Sequence, residues 1–132
     1  MSISIICISL LGFLTIVMGI AVTVARGKFN ILTGNPSDPE HMLTKLVRAH
    51  GNTCEYAAIL AVIIYILGQS PQSDWVFWFM GLTTFCRYLL VAGFIIPRTM
   101  AKPNPIRFIG AVGTYVFGLG LCYALLQQLI NV

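Results

Sequence analysis

Charge is what this sequence has least of. Only 9% of its 132 residues are charged, whereas 58% are hydrophobic. A soluble domain carries about 25% charged residues, so the composition excludes an ordinary soluble protein and indicates the membrane class. The net charge of +4 comes from cations in two loops and at helix ends. Because no basic amphipathic stripe accompanies them, we expect no nucleic-acid partner.

Paired cysteines are missing as well. The four cysteines lie singly in apolar sequence, with no Cys-x-x-Cys spacing: Cys7, Cys54, Cys86 and Cys122. This spacing favours neither a disulfide framework nor a zinc site, and we expect no metal. We interpret them as packing residues, of which only Cys54 adjoins the polar residues described below.

Four long apolar segments are what the chain has in place of charge. We predict helices over residues 2–25, 39–68, 75–96 and 105–130. Each can cross a hydrocarbon core of about 30 Å, for which about 20 residues suffice. The sequence therefore predicts one domain, residues 1–132, that folds as an all-α four-helix membrane bundle.

Two local patterns refine this prediction. Ser37 or Asp38 is expected to cap the second helix, with Pro39 at its first position. In the fourth helix Gly110, Thr114 and Gly118 recur every four residues, a stripe of small residues that lets membrane helices approach closely.

The distribution of lysine and arginine predicts the orientation. All of them except Arg87 lie in or beside the first and third loops. By the positive-inside rule both loops are cytoplasmic and both termini lie on the other side. The absence of a targeting sequence leads us to expect a bacterial inner membrane.

The head of the second helix carries a polar face. Arg48, Asn52, Glu55 and Tyr56 stand at i, i+4, i+7 and i+8, which places them on one side of a helix. Such groups are costly in hydrocarbon, so we expect them to face protein or a water-filled cavity. They could form a polar cluster that joins helices, or they could bind a ligand. Arginine suits a carboxylate and glutamate suits an ammonium, so that ligand would be a short peptide with two carboxylates or a lipid head group.

One further charge, Arg87, lies near the middle of the third helix. Its distance from the cytoplasmic end matches that of Glu55. Because neither charge is tolerable alone at that depth, we predict a structural ion pair between Glu55 and Arg87.

These residues carry a resemblance to a known family. The run Arg48-Ala49-His50-x-Asn52-x-x-Glu55-Tyr56, together with Pro105-Ile106-Arg107, is similar to the signature of the MAPEG family, the membrane-associated proteins in eicosanoid and glutathione metabolism. Helix count, length and charge topology agree over the whole chain. The resemblance implies a homotrimer of four-helix subunits, with glutathione bound as co-substrate between subunits near the cytosolic face.

The resemblance also implies roles for individual residues. Glutathione-binding positions would be Arg26, Arg48, His50, Asn52, Glu55 and Tyr56. Arg107 resembles the arginine that activates the thiol, and Arg98 in the preceding loop is its rival. Some eicosanoid-type members have a tyrosine where this chain has Phe94, which argues against a specific eicosanoid synthase.

Two functions therefore stand beside each other. The first is a membrane-bound glutathione transferase or peroxidase that detoxifies hydrophobic electrophiles arriving from the lipid bilayer. The second is a non-catalytic bundle of the same fold that binds glutathione or lipid as a scaffold.

Overall fold

A computed structural model describes the backbone of residues 2–130 and the side chains of residues 2–128. It contains four helices, α1 (Ser2–Phe29), α2 (Met42–Leu67), α3 (Asp74–Ile95) and α4 (Pro105–Ile130), and no strand within the described residues. All four are long and apolar enough to cross a membrane. The predicted all-α membrane bundle is confirmed.

The helices pack as two close pairs, α1 with α2 and α3 with α4. Helix α2 also contacts α3 and α4, and α1 also contacts α3, whereas α1 and α4 do not touch within the described residues. Both outer helices therefore expose apolar side chains, such as Phe13 and Ile16 on α1 and Val116 and Leu119 on α4. An exposed apolar surface of this kind suits a lipid environment or contact with another subunit.

The first and third loops meet at one end of the bundle, which we call the basic end. The Met100 amide donates to the Pro39 carbonyl at 3.1 Å, and Arg98 pairs with Glu40 at 3.4 Å. This end gathers every lysine and arginine except Arg87, as predicted from the sequence.

Helix α1 runs one turn further than predicted and ends at a specific cap. Asn30 adopts a left-handed conformation with φ 55°. The amide of Ile31 then donates to the Arg26 carbonyl and that of Asn30 to the Gly27 carbonyl, the pair of bonds that defines a Schellman cap.

The predicted start of α2 was wrong. Its N-cap is His41, whose Nδ1 accepts a hydrogen bond from the Leu43 amide at 3.1 Å. The Asp38 carboxylate instead accepts from the Glu40 amide at 2.8 Å. Asp38 thus closes a turn of the loop and is not available to a helix.

Glycines allow α3 and α4 to lie against each other near the basic end. A Cβ built on Gly110 would come within 2.6 Å of the Leu90 backbone nitrogen, and one on Gly93 within 2.6 Å of the Arg107 Cα. Thr114 is buried and donates to the Gly110 carbonyl at 2.8 Å. Gly93 and Gly110 thus fix where α4 begins relative to α3, and with it the position of Arg107, whereas Gly118 of the predicted stripe lies against Leu60 of α2.

Candidate functional site

Arg107 is held at the start of α4 by an asparagine cap. Asn104 precedes Pro105, and its side-chain oxygen accepts the Arg107 amide at 3.1 Å. Asparagine at the N-cap with proline at the first helical position is a favoured way to begin a helix. The Asn104-Pro105 pair is therefore a local cap signal that the sequence carries.

The Arg107 side chain bends back over the third loop. It donates to the carbonyls of Met100 and Lys102 at 3.1 and 3.2 Å, and its guanidinium carbon lies 5.6 Å from the centre of the Phe94 ring. Arg107 is half-buried. A cation is thus fixed over an aromatic face, in the first turn of a helix where anions are stabilised.

A polar cavity of about 600 Å³ lies at the basic end and brings Arg107 together with Arg48. Thr44 and Phe94 also line it, with residues of the first and third loops. The predicted binding residue Arg48 and the predicted catalytic residue Arg107, from different helices, therefore face one space, which is large enough for a small peptide.

Arg107 also lines a second cavity, of about 740 Å³. Its lining is mostly apolar and includes Pro103, Phe108 and Ala111. Arg107 is thus shared by a polar cavity and an apolar cavity, a position that no pattern in the sequence reveals.

Arg98, the rival cation, stands elsewhere. Its side chain is 88% exposed and pairs with Glu40. It borders a separate recess of about 340 Å³ with Lys102. Of the two arginines, only Arg107 reaches the cavity that Arg48 lines.

Deeper in the bundle, Arg87 organises the polar face of α2. It is 1% exposed, and its Nη2 donates to both the backbone carbonyl and the side-chain oxygen of Asn52, each at 2.8 Å. The Tyr56 ring lies 5.0 Å from the guanidinium carbon, and its centre is 6.0 Å from that of Tyr115 on α4. Asn52, Tyr56 and Arg87 therefore form one cluster between α2 and α3.

The predicted ion pair between Glu55 and Arg87 is not formed among the described residues. The only ion pair there joins Arg98 to Glu40, and Glu55 is exposed. Equal depth does not by itself bring two side chains together, because the rotation of α2 about its axis decides which of them faces Arg87. Glu55 is turned about 60° from Asn52 and about 100° from Tyr56 around α2 at about 3.6 residues per turn, so the α2 side chain that bonds to Arg87 is Asn52 and not Glu55.

The remaining predicted binding residues belong to a different face. His50 is about 200° from Arg48 around the helix and lies against Gly19 of α1 in a groove of about 410 Å³. Its ring nitrogens are 3.6 Å from the exposed Cys54 sulfur. Arg26 binds the carbonyls of Ile31, Leu32 and Gly34. Within one chain, His50 and Arg26 do not join the cavity of Arg48 and Arg107.

Fold and site together define a multi-pass membrane protein of four helices with a cationic site at one end. The family model of the MAPEG family matches residues 4–127, so the chain belongs to the MAPEG family. This family serves eicosanoid and glutathione metabolism and includes glutathione transferases as well as non-catalytic members. A comparison with curated individual proteins gave no match. The resemblance found in the sequence is confirmed at the level of the family.

Proposed function

We propose that this protein is a membrane-bound, glutathione-dependent transferase or peroxidase that acts on hydrophobic electrophiles. The observation that carries the proposal is the position of Arg107 between a polar and an apolar cavity. A polar co-substrate and an apolar electrophile must meet at one point, and Arg107 is the charged side chain that borders both spaces.

The residues of the polar cavity and of the α2 face fit glutathione chemically. Arg48 offers a bidentate donor for a carboxylate. Glu55, exposed one turn beyond Asn52, offers an acceptor for an ammonium. Glutathione has two carboxylates, an ammonium and a thiol, so this donor set matches it better than it matches a simple anion.

Arg107 would stabilise the thiolate. A free thiol has a pKa of about 8.5 and the thiolate is the nucleophile, so a neighbouring cation raises its population at neutral pH. The first turn of α4 adds the positive end of a helix. Phe94 has no hydroxyl, so the arginine acts without help from that position.

In the transferase reaction the thiolate sulfur forms a bond to the electrophilic carbon. The leaving group departs with its electron pair, while the thiol proton has already gone to solvent. The protein contributes positioning and electrostatic stabilisation to this step.

The division of the predicted binding residues supports a site shared between subunits. Arg48, Asn52, Glu55 and Tyr56 lie on one face of the chain, whereas His50 lies on another, against α1. One ligand could touch both faces only if two copies contribute, which agrees with the homotrimer implied by the family resemblance. We place the basic end in the cytoplasm, where glutathione is available.

One observation favours the non-catalytic alternative. The guanidinium of Arg107 already donates to two loop carbonyls, so part of its hydrogen-bonding capacity is used by the loop. A bundle that binds glutathione or a lipid as a scaffold would need nothing more from it.

A titration separates the two functions. Purified protein in detergent is titrated with glutathione while the ultraviolet absorbance of the thiolate is followed, and a chlorinated aromatic acceptor is then added. The transferase gives a thiolate signal and releases chloride. Binding without either result supports the scaffold, and no binding contradicts both functions that depend on glutathione.

Variants test the role of Arg107. Replacement of Arg107 by alanine should abolish turnover and leave most binding, whereas Arg48→Ala should weaken binding first. Arg98→Ala removes the same charge from the same end of the protein and should leave activity near that of the parent. Full activity in Arg107→Ala would remove the proposed role.

A further inference from the structure

We propose that Arg87 is a positioning residue that turns the Asn52 amide so that its N–H₂ group faces the ligand. The consequence is that the ligand presents a carboxylate or carbonyl oxygen at this point. The inference rests on the proposed function, because it assigns a role within the same glutathione site.

The orientation of the amide follows from the chemistry of the contact. The two groups of an asparagine amide differ in that oxygen accepts and nitrogen donates. A guanidinium can only donate, so the atom that Arg87 holds at 2.8 Å must be the Asn52 oxygen. The same Nη2 also binds the Asn52 backbone carbonyl, which fixes the side chain against its own helix turn.

The nitrogen of the amide is left available. Asn52 is partly exposed, and within the described residues its Nδ2 donates to no acceptor and is not among the buried unpaired atoms. Arg48 and Glu55, on the same face of α2, are exposed on either side of it. The free N–H₂ group thus stands in the middle of the binding face, where it can donate only to an acceptor.

Arg87 can hold the Asn52 amide in this orientation because its own side chain is buried and restrained. It is 1% exposed, and the Tyr56 ring lies 5.0 Å from its guanidinium carbon. No carboxylate in the described part of the chain forms an ion pair with it. Asn52 is its only hydrogen-bond partner among the described residues, and its Nε is buried without a partner, so loss of Asn52 would leave the cation still less compensated.

Replacements at position 52 separate the contact with Arg87 from the contact with the ligand. Asn52→Asp keeps an acceptor for Arg87 and supplies the missing negative charge, but it has no N–H₂ group. Asn52→Leu loses both. We expect Asn52→Asp to melt at or above the temperature of the parent and Asn52→Leu to melt below it. Both should bind S-methylglutathione, an unreactive analogue, about 10- to 100-fold more weakly, the loss expected for a hydrogen bond to a charged group.

Replacement of Arg87 tests the positioning. In Arg87→Met the amide is free to turn, so we expect weaker binding of S-methylglutathione. Adding Asn52→Leu to Arg87→Met should then cost little further affinity, whereas independent structural effects would add. Thr83→Val is the matched control, because it removes a buried unpaired hydroxyl one turn away on α3. It should lower neither the affinity for S-methylglutathione nor the melting temperature.

The outcomes are distinguishable. Parental affinity in Asn52→Asp or Asn52→Leu would overturn the assignment of Asn52 as a ligand donor while leaving the proposed function intact. Additive losses in the Arg87→Met, Asn52→Leu pair would overturn the positioning role of Arg87. If the parent binds no S-methylglutathione and no glutathione, the proposed function fails, and the inference fails with it.

Discussion

Lys45 is a lysine whose role becomes visible only in the structure. It is 5% exposed, and its Nζ donates to the Pro97 carbonyl at 2.8 Å and the Ile95 carbonyl at 3.4 Å. The last carbonyls of a helix have no partner within the helix, and a cation stabilises that end. Lys45 thus fastens α2 to the end of α3.

We expect Lys45→Met to lower stability by about 1–3 kcal/mol, because it leaves carbonyls at the end of α3 without a donor. Thermal unfolding in detergent measures the change. Lys28→Met is the control, since Lys28 is exposed and its Nζ lies 5.9 Å from the centre of the Phe29 ring. Equal melting temperatures for the two variants would contradict the proposed role of Lys45.

At the scale of residues, the sequence predicted which side chains line the site better than it predicted which side chains contact each other. Arg48 and Arg107 were selected by motif and both line one cavity. The sequence position of Lys45 marks it only as one of the cations beside the first loop, and does not reveal that its ammonium contacts the end of a neighbouring helix. The equal depths of Glu55 and Arg87 predict a pair, yet their contact depends on the rotation of α2 about its axis. In the observed rotation Asn52 and Tyr56 contact Arg87 instead.

At the scale of elements, the closeness of α3 and α4 sets the position of the site. A Cβ on Gly110 would meet the Leu90 backbone, which cannot move aside as a side-chain end could. We expect Gly110→Ala to destabilise the protein by about 1–3 kcal/mol through overpacking. It should also reduce turnover, because it shifts the start of α4 and Arg107 with it.

Gly12→Ala provides the comparison, because a Cβ there would meet nothing within 4 Å. Alanine is also the better helix former, so this variant should be neutral or slightly more stable. Thermal unfolding and activity measurements on both variants test the close-packing argument. A Gly110→Ala protein as stable and active as Gly12→Ala would contradict the close-packing argument.

The helix starts show what local patterns can and cannot predict. Asn104 before Pro105 is a cap in the structure as its sequence suggests, whereas the Ser37-Asp38-Pro39 pattern is not. The first loop instead ties the Pro36 carbonyl to the Thr44 hydroxyl at 2.7 Å, and the third loop binds the Pro39 carbonyl. Contacts between distant segments outweighed the local preference and delayed α2 to Met42.

At the scale of the whole molecule, hydropathy predicted four spans, but it could not predict their arrangement. In a soluble bundle the polar face of each helix marks the outside. Here the outer faces of α1 and α4 are as apolar as the core, and lipid offers no contrast to direct the packing. The pairing of α3 with α4 depends on small residues such as Gly93 and Gly110, and the stripe predicted from the sequence included only Gly110 of these two.

The shared site is tested by mixing inactive copies. Arg48→Ala and His50→Ala alter two faces of α2 that are about 200° apart. We expect each variant alone to bind glutathione weakly. If one ligand contacts Arg48 of one subunit and His50 of another, co-expressed variants should form some sites in which both residues are intact, and part of the activity should return.

Tandem purification with a different tag on each variant isolates the mixed assemblies, and turnover is measured per site. Mixtures prepared after separate purification serve as the control for activity that arises without shared assembly. Each copy in a mixed assembly lacks one of the two residues, so a site contained within one chain could not recover. Mixed assemblies with only the activity of the separate variants would therefore place the whole site within a single subunit, and the division between the Arg48 face and the His50 groove would then be structural.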